Sequence, residues 1–463
     1  MYALCLICQR QGHTHPTIII LCLAVIQYWR WIMITGKGNI PIDKMHAKRI
    51  EDGKIVKELP LVDYQGMLLP LFSVISPVCC PKCGSKLNRN KKHNRYILSS
   101  YGILEIPVTY WECSDEDCNE YCTDTIVGVD GSRNYSEEYL AIQYHTRYEG
   151  KCSLYNNRRV AEVYTEDGDY RGRGACPATL WKHEQIRGKV SFEELQSTDV
   201  PFDGDLYCDG YWVKDGWRKF VEERLGRKLT NKEWKKLRYQ VIYVIATGDK
   251  VILDFVITDI QPSFISLIPL FSRVKNRLGE ENIKRVVSDE EWAIIDAVSH
   301  VLPNATHAFC VFHQLKHLTK IYLDQFKKLD SVPYNDKQLY EKGKELILAD
   351  NCILSAAVLR ELEGLFQNTC TEASRQAMTY LQKTYKKNRK FLEKGFEPET
   401  NNVMEQLFSF INDFVYQARS FKIVSGLKNW AANMFLVWNH RKFNTGFHRG
   451  KSPIDIAWGI DPG

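Results

Sequence analysis

No strong excess of charge marks this chain of 463 residues, because 62 Lys and Arg stand against 56 Asp and Glu and leave a net charge of only +6. So weak a bias does not by itself indicate a nucleic-acid partner, and any basic surface has to be found locally. The chain also lacks the polar composition of a disordered protein, since 44% of its residues are hydrophobic. Its length predicts roughly two to four folded domains and excludes a single small binding module.

The chain has no cysteine framework of the kind that stabilises small secreted domains. Its 15 cysteines are an odd number, spread from Cys5 to Cys370, with one dense group between Cys79 and Cys122. This distribution favours a reducing compartment and metal ligation over disulfide bonds.

The amino-terminal segment, residues 1–76, lacks the basic region and cleavage site of a secretory signal, and its role is open. Its apolar stretch Thr17–Ile34 lies at the lower edge of a membrane span and is interrupted by Gln27 and Arg30. We expect a buried helix or strand there rather than a membrane helix. A third alternative is that the sequence starts upstream of the first folded domain. A second metal knuckle is a further alternative for Cys5, Cys8, His13 and His15.

Residues 77–125 carry two cysteine pairs with the spacing of a zinc ribbon. Cys80 and Cys83 form the first pair, and Cys113 and Cys118 follow after 29 intervening residues that contain two predicted strands. Four thiolates holding tetrahedral Zn²⁺ explain this pattern, because so short a segment cannot bury enough apolar surface to fold alone. Buried free cysteines are the alternative, and Cys79 and Cys122 are substitute ligands.

Residues 126–200 are predicted to be helical, with helices over Glu137–Tyr148 and Asn157–Tyr164 and another from Pro177. In the last of these, Lys182 and Arg187 lie at helical spacing with Thr179 and His183, as in a recognition helix. The sequence therefore predicts a helix-turn-helix DNA-binding region with Lys182 and Arg187 on DNA. A solvated linker helix is the alternative.

Residues 201–318 alternate between strand and helix patterns. Three strands come first, the last two joined by a Gly248-Asp249 turn, and they are followed by helix, strand, helix and strand. This order predicts an α/β core with a mixed sheet. Residues 319–396 are predicted to be an all-helical insertion with breaks at Asn351 and Lys386–Lys390, and residues 397–463 return to the core with an amphipathic helix over Asn401–Gln417.

Three acids from distant parts of the chain are placed to converge on this core. Asp209 lies in the first strand, Asp289 ends a later strand, and Glu405 lies on the polar side of the amphipathic helix. Converging carboxylates suit Mg²⁺ or Mn²⁺, and two such ions support phosphodiester cleavage. Taken singly, each acid is better explained as a solvated strand or helix end, and it is their order and context along the chain that favour a site. Asp205 is the main rival, because it shares a strand face with Asp209.

These residues resemble the Asp-Asp-Glu (DDE) transposases, in particular the mutator-like and related insertion-sequence group, over Phe202–Gly459. The motifs are LYCDGYW around Asp209, IKRVVSD ending at Asp289 and TNNVMEQLFSF around Glu405, with 115 residues between the second and third acids. The Cys-x-x-His of that group is matched by Cys310 and His313. The resemblance implies a ribonuclease H-like core, with Cys310, His313 and Asn402 supporting the active site.

The resemblance further implies hydrolysis at transposon ends and transfer of the freed 3′-hydroxyl to target DNA. Asp209, Asp289 and Glu405 would hold two Mg²⁺ or Mn²⁺ ions. The partners would be double-stranded DNA and a second copy of the chain, as a homodimer or larger on DNA, with no small-molecule substrate. The location would be nuclear in a eukaryote, or cytoplasmic and nucleoid-associated in a prokaryote. A domesticated, catalytically inactive DNA-binding protein is the alternative.

The local basic surface is predicted near the carboxyl end. The 41 residues from Phe414 to Ile454 contain no Asp or Glu, which is typical of a segment that neutralises phosphates. Trp430 and Trp438 in this stretch are expected to be core residues rather than base-stacking ones. The predicted DNA contacts are Arg419, Lys422, Arg441, Lys442, Arg449 and Lys451.

Overall fold

The computed structural model divides the chain into two compact units, Met1–His183 and Glu184–Gly463. The apolar stretch Thr17–Ile34 and the knuckle candidates Cys5, Cys8, His13 and His15 lie outside the described residues. Within the described part, no helix is long and apolar enough to cross a membrane. The structure describes residues 42–43, 48–49, 61–99, 102–131, 134–160, 163–164, 170–172, 175–214, 218–237, 239–259, 263–369, 371–418 and 424–460.

The first unit begins with short strands and one long antiparallel hairpin. The core under this region is apolar, with Phe72, Ile75, Ile97 and Ile106 almost fully buried. In the hairpin, β6 pairs along its length with β7, and β8 pairs with the other edge of β7. The strands are β1 Ile42–Asp43, β2 Lys48–Arg49, β3 Leu61–Tyr64, β4 Met67–Pro70, β5 Val74–Ile75, β6 Leu87–Ser99, β7 Gly102–Cys113, β8 Tyr121–Thr123 and β9 Thr125–Ile126.

A helical segment follows the hairpin. The predicted helix over Asn157–Tyr164 is wrong at its end: the helix stops at Val160, and Val163 and Tyr164 form a strand, as suits a β-branched and an aromatic residue. The helix that begins at Pro177 is confirmed, and proline is favoured at a first helical position because its φ is already helical. The elements are α1 Glu137–Glu149, α2 Leu154–Val160, β10 Val163–Tyr164, β11 Tyr170–Gly172 and α3 Pro177–Ser197.

The second unit is built on a five-stranded mixed sheet, as the sequence predicts. The elements are β12 Asp205–Lys214, α4 Arg218–Leu225, α5 Asn231–Leu237, β13 Tyr239–Thr247, β14 Ile252–Asp259, α6 Phe264–Leu278, β15 Arg285–Ser288, α7 Trp292–Val301 and β16 Thr306–Phe309. The strand order is β14-β13-β12-β15-β16. The first three strands are antiparallel, and β15 and β16 run parallel to β12. The central strand β12 therefore joins the antiparallel and parallel halves.

A helical block with its own apolar core follows β16. It consists of α8 Val311–Phe326, α9 Tyr334–Leu348, α10 Cys352–Phe366 and α11 Glu372–Leu392. Asn351 caps α10 by accepting a hydrogen bond from the Leu354 N–H at 2.9 Å, so the predicted break there is confirmed. The break predicted at Lys386–Lys390 is wrong. Helix α11 continues through it because Asn388 is buried in two reciprocal amide hydrogen bonds with Gln314, at 3.0 and 3.1 Å.

The last elements return to the sheet, and they are α12 Asn402–Ala418, α13 Val424–His440 and α14 Pro453–Ala457. Helix α12 buries one apolar side, as its periodicity predicts. Helix α13 is buried along most of its length, and Trp430 and Trp438 are core residues, 1% and 4% exposed. Asn439 bonds both backbone groups of Ile252, at 2.8 and 2.9 Å, and so covers the free edge of β14.

The two faces of the sheet have different environments. Leu206 and Cys208 of β12 point into the apolar core formed with α6 and α7. Asp209 points to the opposite face, because side chains alternate along a strand. Tyr211 on that same face contacts Phe408 and donates a hydrogen bond to Asn412 at 3.0 Å, so helix α12 lies there. Asp209 and the helix that carries Glu405 thus share one side of the sheet.

Candidate functional site

The four predicted cysteine ligands come together in the first unit. The Sγ atoms of Cys80 and Cys118 are 3.8 Å apart, those of Cys83 and Cys113 are 3.4 Å apart, and all four lie within 4.8 Å of one another. A tetrahedron of sulfurs about 2.3 Å from a central Zn²⁺ has edges of about 3.8 Å. The spacing therefore suits a tetrahedral thiophilic ion, and the cluster can hold a metal.

The local fold explains why these thiols converge. Gly84 follows Cys83 with φ +78° and Asn119 follows Cys118 with φ +49°, and both residue types adopt a positive φ at low cost. Each positive φ makes a tight turn directly after a cysteine of the cluster. The hairpin pairs Leu87 with Cys113, so the second knuckle starts beside the end of the first. Cys79 is exposed and Cys122 lies outside the ligand group, so neither substitute is needed.

The thiols differ in acidity. Hydrogen bonds from the hydroxyl and backbone of Ser85 lower the pKa of Cys83 to about 6. At Cys113 the Asp115 N–H favours the thiolate, but burial and the hydrogen bonds with its three neighbouring cysteines raise the pKa to about 12. One thiolate therefore forms readily, whereas ionising all four requires a cation among them.

In the second unit, the charges of Asp289 and Glu405 both affect the pKa of the remaining predicted acid, Asp209. This carboxyl is 8% exposed, and burial together with the charge of Asp289 raises its pKa to about 8. The charges of Glu291 and Glu405 contribute smaller parts of the same rise. The charges of Asp289, after β15, and of Glu405, on the first turn of α12, therefore both act on Asp209 of β12. Such mutual repulsion is relieved by protons or by cations.

Glu291 is an acid that the sequence reasoning missed. Tyr243 donates a hydrogen bond to its Oε1 at 2.6 Å, and the Glu291 backbone N–H donates to Oδ1 of Asp289 at 3.1 Å. Burial, above all, raises the pKa values of both Asp289 and Glu291. In the sequence, only its position two residues after Asp289 pointed to Glu291. Its partner Tyr243 lies on β13, which is distant in sequence, so the pairing could not be predicted from spacing.

The rival acid Asp205 is engaged elsewhere. Its two oxygens accept hydrogen bonds from Arg285, from Nε at 3.1 Å and from Nη2 at 2.5 Å, and Arg285 also contacts Glu399 at 3.2 Å. Both arms of the carboxylate are therefore used in a bidentate ion pair between neighbouring strands. Asp205 links β12 to β15 and is not a candidate ligand.

The asparagine that contacts the acids is Asn401, and the prediction for Asn402 needs correction. Asn402 is exposed, whereas Asn401 is fully buried. The Asn401 side-chain amide donates to the Cys208 carbonyl at 3.2 Å and to Asp209 Oδ2 at 3.3 Å, and its backbone N–H donates to Cys310 Sγ at 3.2 Å. Cys310 therefore contacts the start of α12 rather than the acids directly.

Two histidines interact with Asp289 or with the adjacent Ser288. His313, in the first turn of α8, lowers the pKa of Asp289 through its charge, and its buried Nδ1 has no hydrogen-bond partner. The ring of His307 shares a hydrogen bond of 2.8 Å with the Ser288 hydroxyl, which donates to the Asp289 carbonyl at 2.8 Å. Burial, aided by the charge of Lys387, lowers the pKa of His307 to about 4, so this histidine is neutral at pH 7.

The acids are spaced more widely than the cysteines. Among the described residues, the four cysteines are the one group of three or more metal-binding side chains whose ligand atoms all lie within 4.8 Å of one another. Two ions about 3.5–4 Å apart require ligands on both sides of the pair, so a two-ion site does not need such close packing. The donor set of carboxylate oxygens suits Mg²⁺ or Mn²⁺.

The predicted DNA-contacting residues differ in their exposure to solvent. Lys182, Lys442 and Arg449 are exposed. Arg187 is buried and lies 3.8 Å from Glu194, so it is not on a surface that reaches phosphates. Arg441 stacks on the ring of Phe410 at 4.5 Å. Lys451 is partly buried, and Arg419 and Lys422 lie outside the described residues.

Comparison with known proteins adds little. No protein-family model matches the chain, and no curated protein matches it. Among solved structures, the chain is similar to the Mos1 transposase paired-end complex with left transposon end, with 11% identity over 58% of this chain and 82% of that one. The TM-score of this match is 0.14, too low to assign a fold or a function. The function therefore has to be inferred from the residues of the chain.

Proposed function

We propose that the chain is a DDE transposase that cleaves DNA at transposon ends and joins the freed 3′-hydroxyl to target DNA, with a ribonuclease H-like core. The observation that carries this proposal is geometric: Asp209 lies on the central strand, on the face of the sheet that helix α12 with Glu405 covers. The strand order, with the first acid on the central strand and the second directly after the adjacent parallel strand, supports it.

In this reaction Asp209, Asp289 and Glu405 would hold two Mg²⁺ or Mn²⁺ ions. Bound ions would activate the attacking water or hydroxyl and neutralise charge on the phosphate. The chain's own contribution is to orient the carboxylates: Gly210 N–H donates to Asp209 Oδ1 at 2.7 Å, and Asn401 donates to Oδ2. No covalent protein intermediate is needed, so no Ser or Tyr nucleophile is proposed.

We further propose that Cys80, Cys83, Cys113 and Cys118 hold one structural Zn²⁺, which stabilises a DNA-binding amino-terminal unit. The 3.4 and 3.8 Å sulfur separations support this role. The helical region with Lys182 is retained as a helix-turn-helix proposal. The partners would be double-stranded DNA and further copies of the chain, in the nucleus of a eukaryote or on the nucleoid of a prokaryote.

The test is cleavage of duplex DNA carrying the ends of the element, in Mn²⁺, by single variants of each acid. Asp209→Asn, Asp289→Asn and Glu405→Gln should each lower the cleavage rate by at least about 1,000-fold, since each removes a ligand to the ions. DNA affinity should change little, because phosphate contacts dominate it.

Asp296→Asn is the matched control, because Asp296 is exposed on α7 and should keep full activity. An acid whose loss leaves cleavage intact does not belong to the site. A wild-type chain that binds DNA but never cleaves it would favour the domesticated, inactive alternative.

A further inference from the structure

The long hairpin of the first unit carries a concentration of positive charge. From Ser85 to Leu104, 20 residues contain no Asp or Glu. This is the same pattern that marks the carboxyl-terminal stretch, but it falls on a strand beside the cysteine cluster. The basic residues of this segment are Lys86, Arg89, Lys91, Lys92 and Arg95.

The structure places these cations on an accessible edge. Along its first half, β6 pairs with β7 alone among the described strands, so its other edge is open. Lys86, Arg89, Lys91 and Lys92 are all exposed. A register shift between Arg89 and Lys91 bends the strand at this point. We call the edge formed by Lys86, Arg89, Lys91 and Lys92 the basic ribbon edge.

The nearby acids of β7 form hydrogen bonds with neutral side chains. Glu112 on β7 accepts hydrogen bonds from Asn90 at 3.1 Å and Tyr121 at 2.6 Å, and Glu105 accepts from Asn94 and Tyr96. Within the described part of the chain, no cation of the basic ribbon edge forms a salt bridge. The carboxylates of β7 are thus held by neutral side chains, and the charges of β6 face solvent.

Ring contacts support the hairpin at this point. His93 stacks on Tyr110 with ring centroids 4.3 Å apart and an angle of 14°, and Lys91 Nζ lies 5.6 Å from the centre of the same ring. Lys92 points to the opposite face, because side chains alternate along a strand. The cysteine cluster anchors the base of the hairpin. The hairpin therefore presents exposed cations on both of its faces beside the cysteine cluster.

We propose that the basic ribbon edge binds the phosphate backbone of duplex DNA. Exposed Lys and Arg side chains supply such phosphate contacts, which hold a protein on the duplex without reading its sequence. The inference rests on the proposed function, because it names the surface by which the amino-terminal unit of a transposase would hold DNA. It is independent of the catalytic acids.

Lysines on an open strand edge have another role, which is to prevent pairing between sheets of different molecules. That role depends on charge and desolvation at the edge but not on DNA. The two explanations differ in the salt dependence of DNA binding, since each phosphate neutralised contributes about 0.9 to the slope of log affinity against log salt.

The experiment uses the full chain carrying Asp209→Asn and Asp289→Asn, so that DNA is bound without cleavage, and measures duplex affinity by fluorescence anisotropy from low to high salt. Substituting Arg89, Lys91 and Lys92 together by Gln should lower the slope by roughly 2 to 3 and weaken binding about 10- to 100-fold at physiological salt. The matched control replaces Lys337, Lys383 and Lys390, three exposed lysines of the helical block, by Gln.

A charge-conserving variant, Arg89→Lys with Lys91→Arg and Lys92→Arg, should keep the wild-type slope, and it tests the edge should the Gln variant fail to fold. A slope unchanged in the Gln variant, or lowered equally in the control, would overturn the inference. The same holds if the charge-conserving variant folds but loses the salt dependence. If the parent chain binds no duplex at any salt, the proposed function itself fails and the inference fails with it.

Discussion

The side-chain amide of Asn401 lies 3.3 Å from Oδ2 of Asp209, and it also donates to the carbonyl oxygen of the preceding Cys208. The other oxygen of Asp209 accepts the Gly210 N–H at 2.7 Å. Both oxygens of the carboxylate are thus fixed by donors. Because Asn401 directly precedes the helix that carries Glu405, one residue fixes the first acid and the start of the third acid's helix.

We expect Asn401→Ala to weaken Mn²⁺ binding about tenfold, because the Asp209 carboxylate loses one of its two orienting donors. Isothermal titration of the DNA-free protein with Mn²⁺ measures this directly. The matched control is Asn439→Ala, which removes an equally buried asparagine bonded to the backbone of β14. Both variants should melt at a lower temperature, and only Asn401→Ala should lose affinity for the ion. Equal Mn²⁺ affinity in the two would make Asn401 purely structural.

The zinc proposal predicts one Zn²⁺ per purified chain. Cys83→Ser should lose the ion and the local structure of the two cysteine turns together, because metal binding and local folding are coupled. Zinc content by mass spectrometry and the melting of the first unit measure the two effects. Cys79→Ser is the control, since Cys79 is exposed and outside the ligand group. Stoichiometric zinc in Cys83→Ser would contradict the assignment.

His307 makes a predictable contribution to the pH dependence of stability. Its pKa is lowered to about 4 in the folded chain from an ordinary value of 6.5, so the unfolded chain binds the extra proton between these values. Stability from this group is present above pH 6.5 and is lost as the pH falls toward 4, by up to about 3 kcal/mol. The raised pKa of Asp209 makes stability change with pH in the opposite direction. The contribution of His307 must therefore be measured as the difference between two proteins.

That difference is between the wild-type chain and His307→Asn, compared by urea unfolding at pH 7 and pH 5. The wild-type chain should lose more stability than the variant over this interval. His300→Asn, an exposed histidine of α7, should follow the wild type. Parallel pH profiles for wild type and His307→Asn would show that burial does not hold this ring neutral.

The carboxyl-terminal basic stretch should separate into two kinds of residue. Lys442 and Arg449 are exposed, so replacing both with Gln should lower the salt slope of DNA binding by up to roughly 2. Arg441 covers the ring of Phe410, so Arg441→Gln should lower stability by about 0.5–1 kcal/mol. Salt titrations and thermal melts measure the two effects. An unchanged slope in the Lys442 and Arg449 variant would show that this stretch is structural.

Sequence patterns predicted the strands of the mixed sheet because their hydrophobic periodicity and turns are local. They did not identify Asn401, since a shift of one residue at the start of a helix decides which asparagine is buried. They placed Arg187 on DNA because helical spacing shows which residues share a face but not which face is covered. The choice between Asp205 and Asp209 likewise depended on Arg285, which comes from a strand that pairs only in the folded sheet.

The hydrogen bonds between Asn439 and Ile252 span 187 residues of chain. During synthesis, β14 is complete long before the helix that covers its edge has left the ribosome. Until then the nascent sheet presents an open row of backbone donors and acceptors, which is a template for pairing with other chains. The order of the elements therefore leaves this edge uncovered for as long as the helical block takes to be made.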